Sequence, residues 1–282
     1  NDDSVSGING YVGQTDALNA IANDTLNGQN VLLSEINTTV LNVATPINGG
    51  LVPVLNTTTG LVSIPAGTTA GTYVIDYRIC EKLNPTNCDD GQITINVVVP
   101  VIDAVNDSAS SINGVLGQAN VMNVYTNDTL NGVVVKLSEI TSKILTPATP
   151  INGGMVPVLN PATGIVTVPA GTPAGSYAIE YEICEILNPA NCDKAVATID
   201  VVASTIIAND DSAANINGYV GATAVVNALT NDTVSGLAAT LSNVNLRVTQ
   251  PATAIGSGNV PVLDASTGFV NVPAGTPAGR YT

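Results

Sequence analysis

The chain has 282 residues, enough for two or three domains, and 45% of them are hydrophobic, enough to bury a core. Only 10% are charged, and 7 Lys plus Arg against 22 Asp plus Glu give a net charge of −15. With no basic patch to neutralise phosphates, nucleic acid and direct binding to anionic lipid are excluded. No apolar run of about 18 residues reads as a membrane span, and the lack of His excludes His-dependent triads and His metal sites.

The apolar set is mostly Val, Ile, Leu and Ala, with one Phe and no Trp, and Thr, Asn and Gly are abundant. This composition favours strands and turns over helices. In chain order, a first strand is predicted near residues 4–12, followed by short strands near 17–22, 31–41, 51–55 and 61–64. Gly and Pro clusters such as Asn48-Gly49-Gly50 and Pro65-Ala66-Gly67 punctuate them. Tyr73, Ile75, Tyr77 and Ile79 then alternate with Val74, Asp76, Arg78 and Cys80, the period of a half-buried strand. A last strand places Ile93, Ile95, Val97 and Val99 inward against Thr94 and Asn96.

The pattern then starts again. Ile8-Asn9-Gly10 returns at Ile112 and at Ile216, a spacing of 104 residues each time. Asn23-Asp24-Thr25, Val52-Pro53-Val54-Leu55 and Pro65-Ala66-Gly67-Thr68 return at the same spacing. The copies span residues 1–103, 104–207 and 208–282, joined by short linkers near 100–105 and 203–208. In copy two, Tyr177, Ile179, Tyr181 and Ile183 face inward and Glu180, Glu182 and Cys184 outward. Copy three stops at Tyr281-Thr282, before counterparts of the last two strands. The expectation is a piece of a longer array. About seven short strands in roughly 100 residues predict an all-β chain of tandem immunoglobulin-like β-sandwich modules, arranged as an extended rod.

Cys80 and Cys88 lie eight apart, as do Cys184 and Cys192. Repetition and strand parity predict one hairpin-stapling bridge per module, and hence an oxidising compartment. Zinc is the rival reading, disfavoured by the spacing and the missing His.

Acidic residues recur where modules begin: Asp3, Asp107 and Asp211, preceded by Asp2, Asn106 and Asp210, with Asp103 before the second copy. Oxygen-rich clusters at junctions suit Ca²⁺, and Asp3, Asp103, Asp107, Asp210 and Asp211 are its candidate ligands. The competing reading is Asx turns that shape strand entrances. Carboxylate pairs that recur in every module at a domain edge do not read as an active site, so no catalysis is expected.

A further pattern is Asp, then Ser or Thr, then an apolar residue. It occurs at Ser4, Thr25, Ser108, Thr129, Ser212 and Thr233. It resembles the O-glycosylation acceptor of exported proteins in the Bacteroidetes lineage; the competing reading is a turn pair inherited by duplication.

Ala208-Asn209-Asp210-Asp211-Ser212, Pro169-Ala170-Gly171-Thr172-Pro173-Ala174-Gly175-Ser176-Tyr177 and Ile183-Cys184-Glu185-Ile186-Leu187-Asn188-Pro189-Ala190-Asn191-Cys192-Asp193 carry a wider resemblance. The whole chain resembles the Ig-like or cadherin-like tandem repeats of large surface adhesins of gliding bacteria of that lineage, the SprB-type proteins exported by the type IX system. The resemblance implies a stalk or adhesin segment at the bacterial cell surface, with further copies of the repeat as neighbours and surface polysaccharide or other cells as partners. The alternatives are a polysaccharide-binding repeat, for which Tyr11 and Tyr219 are the candidate aromatics, and the stalk of a secreted enzyme.

Overall fold

A computed structural model describes residues 1–282. Copy one forms strands β1 (Asp3–Asn9), β2 (Gln14–Asn19), β3 (Thr25–Leu26), β4 (Gln29–Asn30), β5 (Ile36–Asn42), β6 (Val54–Leu55), β7 (Leu61–Ile64), β8 (Gly71–Glu81) and β9 (Cys88–Val98). One sheet has the order β1-β9-β8-β5 and the other β2-β7-β6, with β3-β4 as a separate hairpin. β1 runs parallel to β9, from Asp3 beside Ile93 to Asn9 beside Val98, while β8 pairs antiparallel with both β5 and β9.

A linker strand β10 (Ile102–Asp103) leads into copy two: β11 (Asp107–Asn113), β12 (Gln118–Asn123), β13 (Thr129–Leu130), β14 (Val133–Val134), β15 (Ile140–Thr146), β16 (Val158–Asn160), β17 (Ile165–Val168), β18 (Gly175–Glu185) and β19 (Cys192–Val202). Its sheets, β11-β19-β18-β15 and β12-β17-β16, repeat those of copy one. Copy three follows a second linker strand, β20 (Ile206–Ile207), with β21 (Ala222–Asn227), β22 (Thr233–Val234), β23 (Leu237–Ala238), β24 (Val262–Leu263) and β25 (Phe269–Val272). It has the three-stranded sheet β21-β25-β24 but no strand at 211–217, the stretch matching β1 and β11.

The period-two reading holds at the core. Tyr73, Ile75, Tyr77, Ile93 and Ile95 are fully buried between the sheets, as are Tyr177, Ile179, Tyr181 and Ile183. Val99 is the exception: β9 ends at Val98, the chain leaves the sheet, and Val99 is 47% exposed. Glu182 keeps its outward parity yet is covered, because Lys143 on β15 pairs with it at 2.6 Å.

Two strands sit away from their predicted places. β2 ends at Asn19, whose side chain accepts from Ile21 N–H at 3.2 Å and turns the chain. Residues 31–35 form a turn in which Glu35 Oε2 accepts from Leu32 N–H at 3.1 Å, so β5 starts only at Ile36. The β3-β4 hairpin was not predicted, although Asn27-Gly28, both at positive φ (53° and 77°), is its usual turn signal.

The recurring Ile-Asn-Gly and Pro-Ala-Gly-Thr motifs explain each other. Gly10 O accepts from Gly67 N–H (2.9 Å) and Thr68 N–H (3.1 Å), and Gly114 and Gly218 do the same with Gly171–Thr172 and Gly275–Thr276. A Cβ at Gly10 would lie 2.0 Å from Thr68 O, so only glycine permits this crossing.

Candidate functional site at the module entrances

The recurring acidic residues meet at the leading ends of copies one and two, around a tyrosine from the middle of β8 or β18. The Tyr77 hydroxyl lies 3.2 Å from Asp3 Oδ2, 3.1 Å from Asp24 Oδ2, 2.7 Å from Ala20 O and 3.1 Å from Asn1 O. The Tyr181 hydroxyl lies 3.1 Å from Asp107 Oδ2, 3.2 and 3.1 Å from the two Asp128 oxygens, 3.3 Å from Val124 O and 3.4 Å from Val105 O.

Every partner in these clusters is an acceptor, while a hydroxyl donates one proton. A second proton on a carboxyl therefore relieves the arrangement. Burial raises Asp3 and Asp107 above the usual carboxylate range and pushes Asp128 up to about 6. Burial, reinforced by the facing carboxylates, pushes both tyrosines well above an ordinary phenol.

The neighbouring motif residues fasten the incoming chain. Asp24 Oδ1 accepts from the Asn1 ammonium, Asp128 Oδ1 from Val105 N–H and Asp232 Oδ1 from Asn209 N–H, each at 2.7 Å. Asn23 and Asn231 donate their side-chain amides to the carbonyls of Asp2 (3.2 Å) and Asp210 (3.1 Å). Asp2 Oδ1 caps Gln92 N–H at 3.0 Å, and Asn106 Oδ1 caps Val196 N–H at 2.8 Å. A neutral Asn does the work of Asp2 there, so that position needs an acceptor and not a charge.

The five calcium candidates do not converge. Asp3 and Asp107 belong to separate tyrosine clusters, Asp103 is exposed on β10, Asp210 is exposed and Asp211 half-buried. The one group of three ligand-type side chains whose donor atoms lie within 4.8 Å of one another is Glu182, Cys184 and Cys192. Its two sulfurs are already bonded to each other. Asp3 and Asp107 are thus engaged with their tyrosines, while Asp103, Asp210 and Asp211 stand apart from them.

The glycosylation candidates divide by exposure. Ser4, Thr25, Ser108 and Ser212 are exposed; Thr129 and Thr233 are half-buried in β13 and β22. In five of the six Asp-Ser and Asp-Thr pairs the Asp carboxylate accepts one of the hydrogen bonds above; Asp211 is the exception. Cys80–Cys88 and Cys184–Cys192 are disulfides between directly opposed residues at the turn end of β8-β9 and β18-β19. The two best-defined surface depressions, one lined by Leu137, Ile140 and Pro161 and the other by Val12, Ile64 and Pro65, contain no titratable group.

Both linkers are hydrogen-bonded into the next module. Ile102 and Asp103 pair with Leu130 and Thr129, and Ile206 and Ile207 with Val234 and Thr233. At the first junction three more contacts cross between copies: Asn9 Nδ2 to Asn131 Oδ1 (2.8 Å), Tyr11 hydroxyl to Glu139 Oε1 (3.4 Å) and Ala70 N–H to Asn188 Oδ1 (2.9 Å). Tyr11 packs against the core of copy two, whereas Tyr219 is 88% exposed. Neither two-residue linker strands nor contacts between copies leave a periodic signal in the sequence.

No protein-family model and no curated protein matches the chain. Among solved structures, a crystal structure of mouse cadherin-23 EC22-24 matches at 16% identity, covering 97% of this chain and 86% of that one, with a TM-score of 0.35. Human CDH23 EC21-23 matches at 13% identity, covering 96% and 91%, with a TM-score of 0.32. Human protocadherin-24 EC1-2 matches at 16% identity, covering 71% and 93%, with a TM-score of 0.28. Scores this low carry nothing about ligand, partner or calcium.

Proposed function

We propose that the chain is a force-transmitting segment of an extracellular array, a stalk of the kind that surface adhesins use for reach. The observation that carries this reading is the parallel pairing of β1 with β9, repeated by β11 with β19. The chain enters copies one and two through the first of these strands and leaves through the second. Tension between the ends therefore pulls the two strands past each other, and their hydrogen bonds resist together rather than one at a time.

Three features support the same reading. The linkers are bonded into the following module and have little slack. The tyrosine clusters fasten the point where the chain enters. The disulfides keep the β8-β9 and β18-β19 hairpins from opening at their turns, and two disulfides fit a compartment outside the cytoplasm. The bacterial surface and gliding adhesins supply the proposed setting. The exposed hydroxyls at Ser4, Thr25, Ser108 and Ser212 are open to sugar attachment; a native mass equal to the bare sequence would remove that part of the proposal.

Single-molecule pulling of the full chain tests the main reading. Two distinct unfolding peaks are expected, one for each module with a β1-β9 type pair. Smooth extension without peaks would overturn it.

A further inference from the structure

The two junctions share their linker pairing but not the contacts beside it. At both, a two-residue linker strand pairs with the next module. The turn that follows is tied to the linker as well: Asn131 N–H donates to Val101 O at 2.6 Å, and Ser235 N–H to Thr205 O at 2.8 Å. Each linker therefore moves with the module after it. A pivot between modules falls just before the linker, at Val99-Pro100 in the first junction and at Ala203-Ser204 in the second.

Side chains brace the first pivot. Asn9 Nδ2 donates to Asn131 Oδ1 at 2.8 Å, and the Tyr11 hydroxyl reaches to 3.4 Å from Glu139 Oε1. Tyr11 is half-buried against the core of copy two. The ring of Pro100 also fixes one of the backbone angles about which the modules would turn.

At the second junction each brace is replaced. Val115 stands for Tyr11, Ser235 for Asn131, Asn243 for Glu139 and Ser204 for Pro100. Valine has neither the reach nor the hydroxyl of a tyrosine. The serine hydroxyl is one bond shorter than an asparagine amide, and Ser235 Oγ is buried without a partner. Asn113, the counterpart of Asn9, keeps its Oδ1 within its own turn, accepting from Val115 and Leu116 N–H at 3.0 and 3.3 Å. Asn243 is occupied inside copy three: its Oδ1 accepts from Thr240 N–H at 2.7 Å and its amide donates to Ala238 O at 3.2 Å.

We propose that the first junction is a fixed joint and the second a built-in hinge, with Tyr11, Asn131, Glu139 and Pro100 deciding the difference. Modules without an extensive shared interface move relative to one another by default. Because the second linker is anchored to copy three, that motion is a bend at Ala203-Ser204 that adds little length. The chain can then change direction while the strand pairs inside its modules stay intact. This goes beyond the force-transmitting reading. Modules can be strong in tension with either kind of joint, so a pulling experiment and a hinge measurement fail separately.

The test is pulsed electron resonance on the full chain, with spin labels on non-natural residues so that the disulfides stay whole. Thr58, Ala162 and Ser266 hold the same exposed turn position in the three copies. The Thr58–Ala162 pair spans the first junction and Ala162–Ser266 the second, while Thr223–Ser266 reports on copy three alone. The distance distribution across the second junction should be at least about twofold broader than across the first, with the pair inside copy three narrow. Tyr11→Val, Asn131→Ser and Glu139→Asn together should broaden the first junction. The reverse graft of Val115→Tyr, Ser235→Asn and Asn243→Glu should narrow the second. All six positions lie in turns, and urea unfolding checks that the modules survive. Equal widths in the wild type, or either set of substitutions leaving its junction unchanged, would overturn the proposal.

Discussion

Copies two and three share their landmarks but are held together very differently. In copy two a single cluster of 18 buried residues spans both sheets, whereas in copy three the buried cluster contains three, Leu229, Val234 and Ala239. Val166 is fully buried, while its counterpart Val270 is only half-buried. The difference is the β18-β19 hairpin. Residues 208–282 do not include its counterpart, and Asp211–Asn217 pairs with nothing there, although its motif residues match those of β1 and β11. What survives in copy three is local: Asp232 still accepts from Asn209, and Tyr281 hydroxyl still donates to Pro277 O at 2.8 Å, as Tyr177 does to Pro173 O. The β18-β19 hairpin therefore supplies the partner that β11 pairs with and much of the buried cluster of copy two.

The largest expected effect tests that difference directly. Leu159→Ala, at a side chain 2% exposed, should cost copy two about 2–5 kcal/mol in urea unfolding. The matching Leu263→Ala, at a half-buried position in copy three, should cost about 1 kcal/mol or less. Equal losses would mean that the two cores are alike.

Next in size are the bridges. Replacing Cys184 and Cys192 together by Ala should lower the stability of copy two by about 2–3 kcal/mol, on the loop-closure account. A reducing agent should shift the thermal transitions of copies one and two and leave copy three, which has no cysteine, unmoved.

Tyr181→Phe removes the hydroxyl shared by Asp107 and Asp128, and should cost about 1–3 kcal/mol. Tyr77→Phe should behave alike in copy one. If both variants melt as the wild type does, the clusters contribute nothing to folding.

The smallest effect is on pH dependence. Asp128 titrates near 6 in the folded chain and near its ordinary value, about 3.9, when unfolded. The folded state thus holds more protons between those values, and the contribution of Asp128 is lost as pH rises through about 6. Copy two should therefore melt at a higher temperature near pH 5 than near pH 7, and Asp128→Asn should flatten this trend. In copy one the carboxylates of Asp76 and Asp90, held low by hydrogen bonds, act in the opposite sense, and their contribution is lost only as pH falls below the ordinary carboxylate range.

Much of the architecture was legible because the strands that build the core carry strict alternation. Tyr73 to Tyr77 and Ile93 to Val97 declare their inward face without reference to anything distant. The four cysteines were legible through repetition and parity. The entrance clusters were not. Asp3 and Tyr77 are 74 residues apart, Asp24 and Tyr77 are 53 apart, and nothing local to either Asp marks a tyrosine as its partner. The Asp-Ser and Asp-Thr pairs consequently drew attention to their outward hydroxyls, while their carboxylates were fastening the module from within. The difference between the two junctions was present in the sequence as Tyr11 against Val115, but its meaning depended on seeing Tyr11 meet Glu139.

The central claim is that the parallel strand pair resists tension because it is sheared. The most direct measurement compares two pulling directions on the same folded chain. Handles at Asn1 and beyond Val98 strain β1 and β9 in opposite directions, whereas handles at Asn1 and Thr86, in the β8-β9 turn, pull both strands from the same end. The expected result is a several-fold higher unfolding force in the first geometry, where the hydrogen bonds from Asp3 to Asn9 fail together, than in the second, where they open in turn. Equal forces in the two directions would contradict the account.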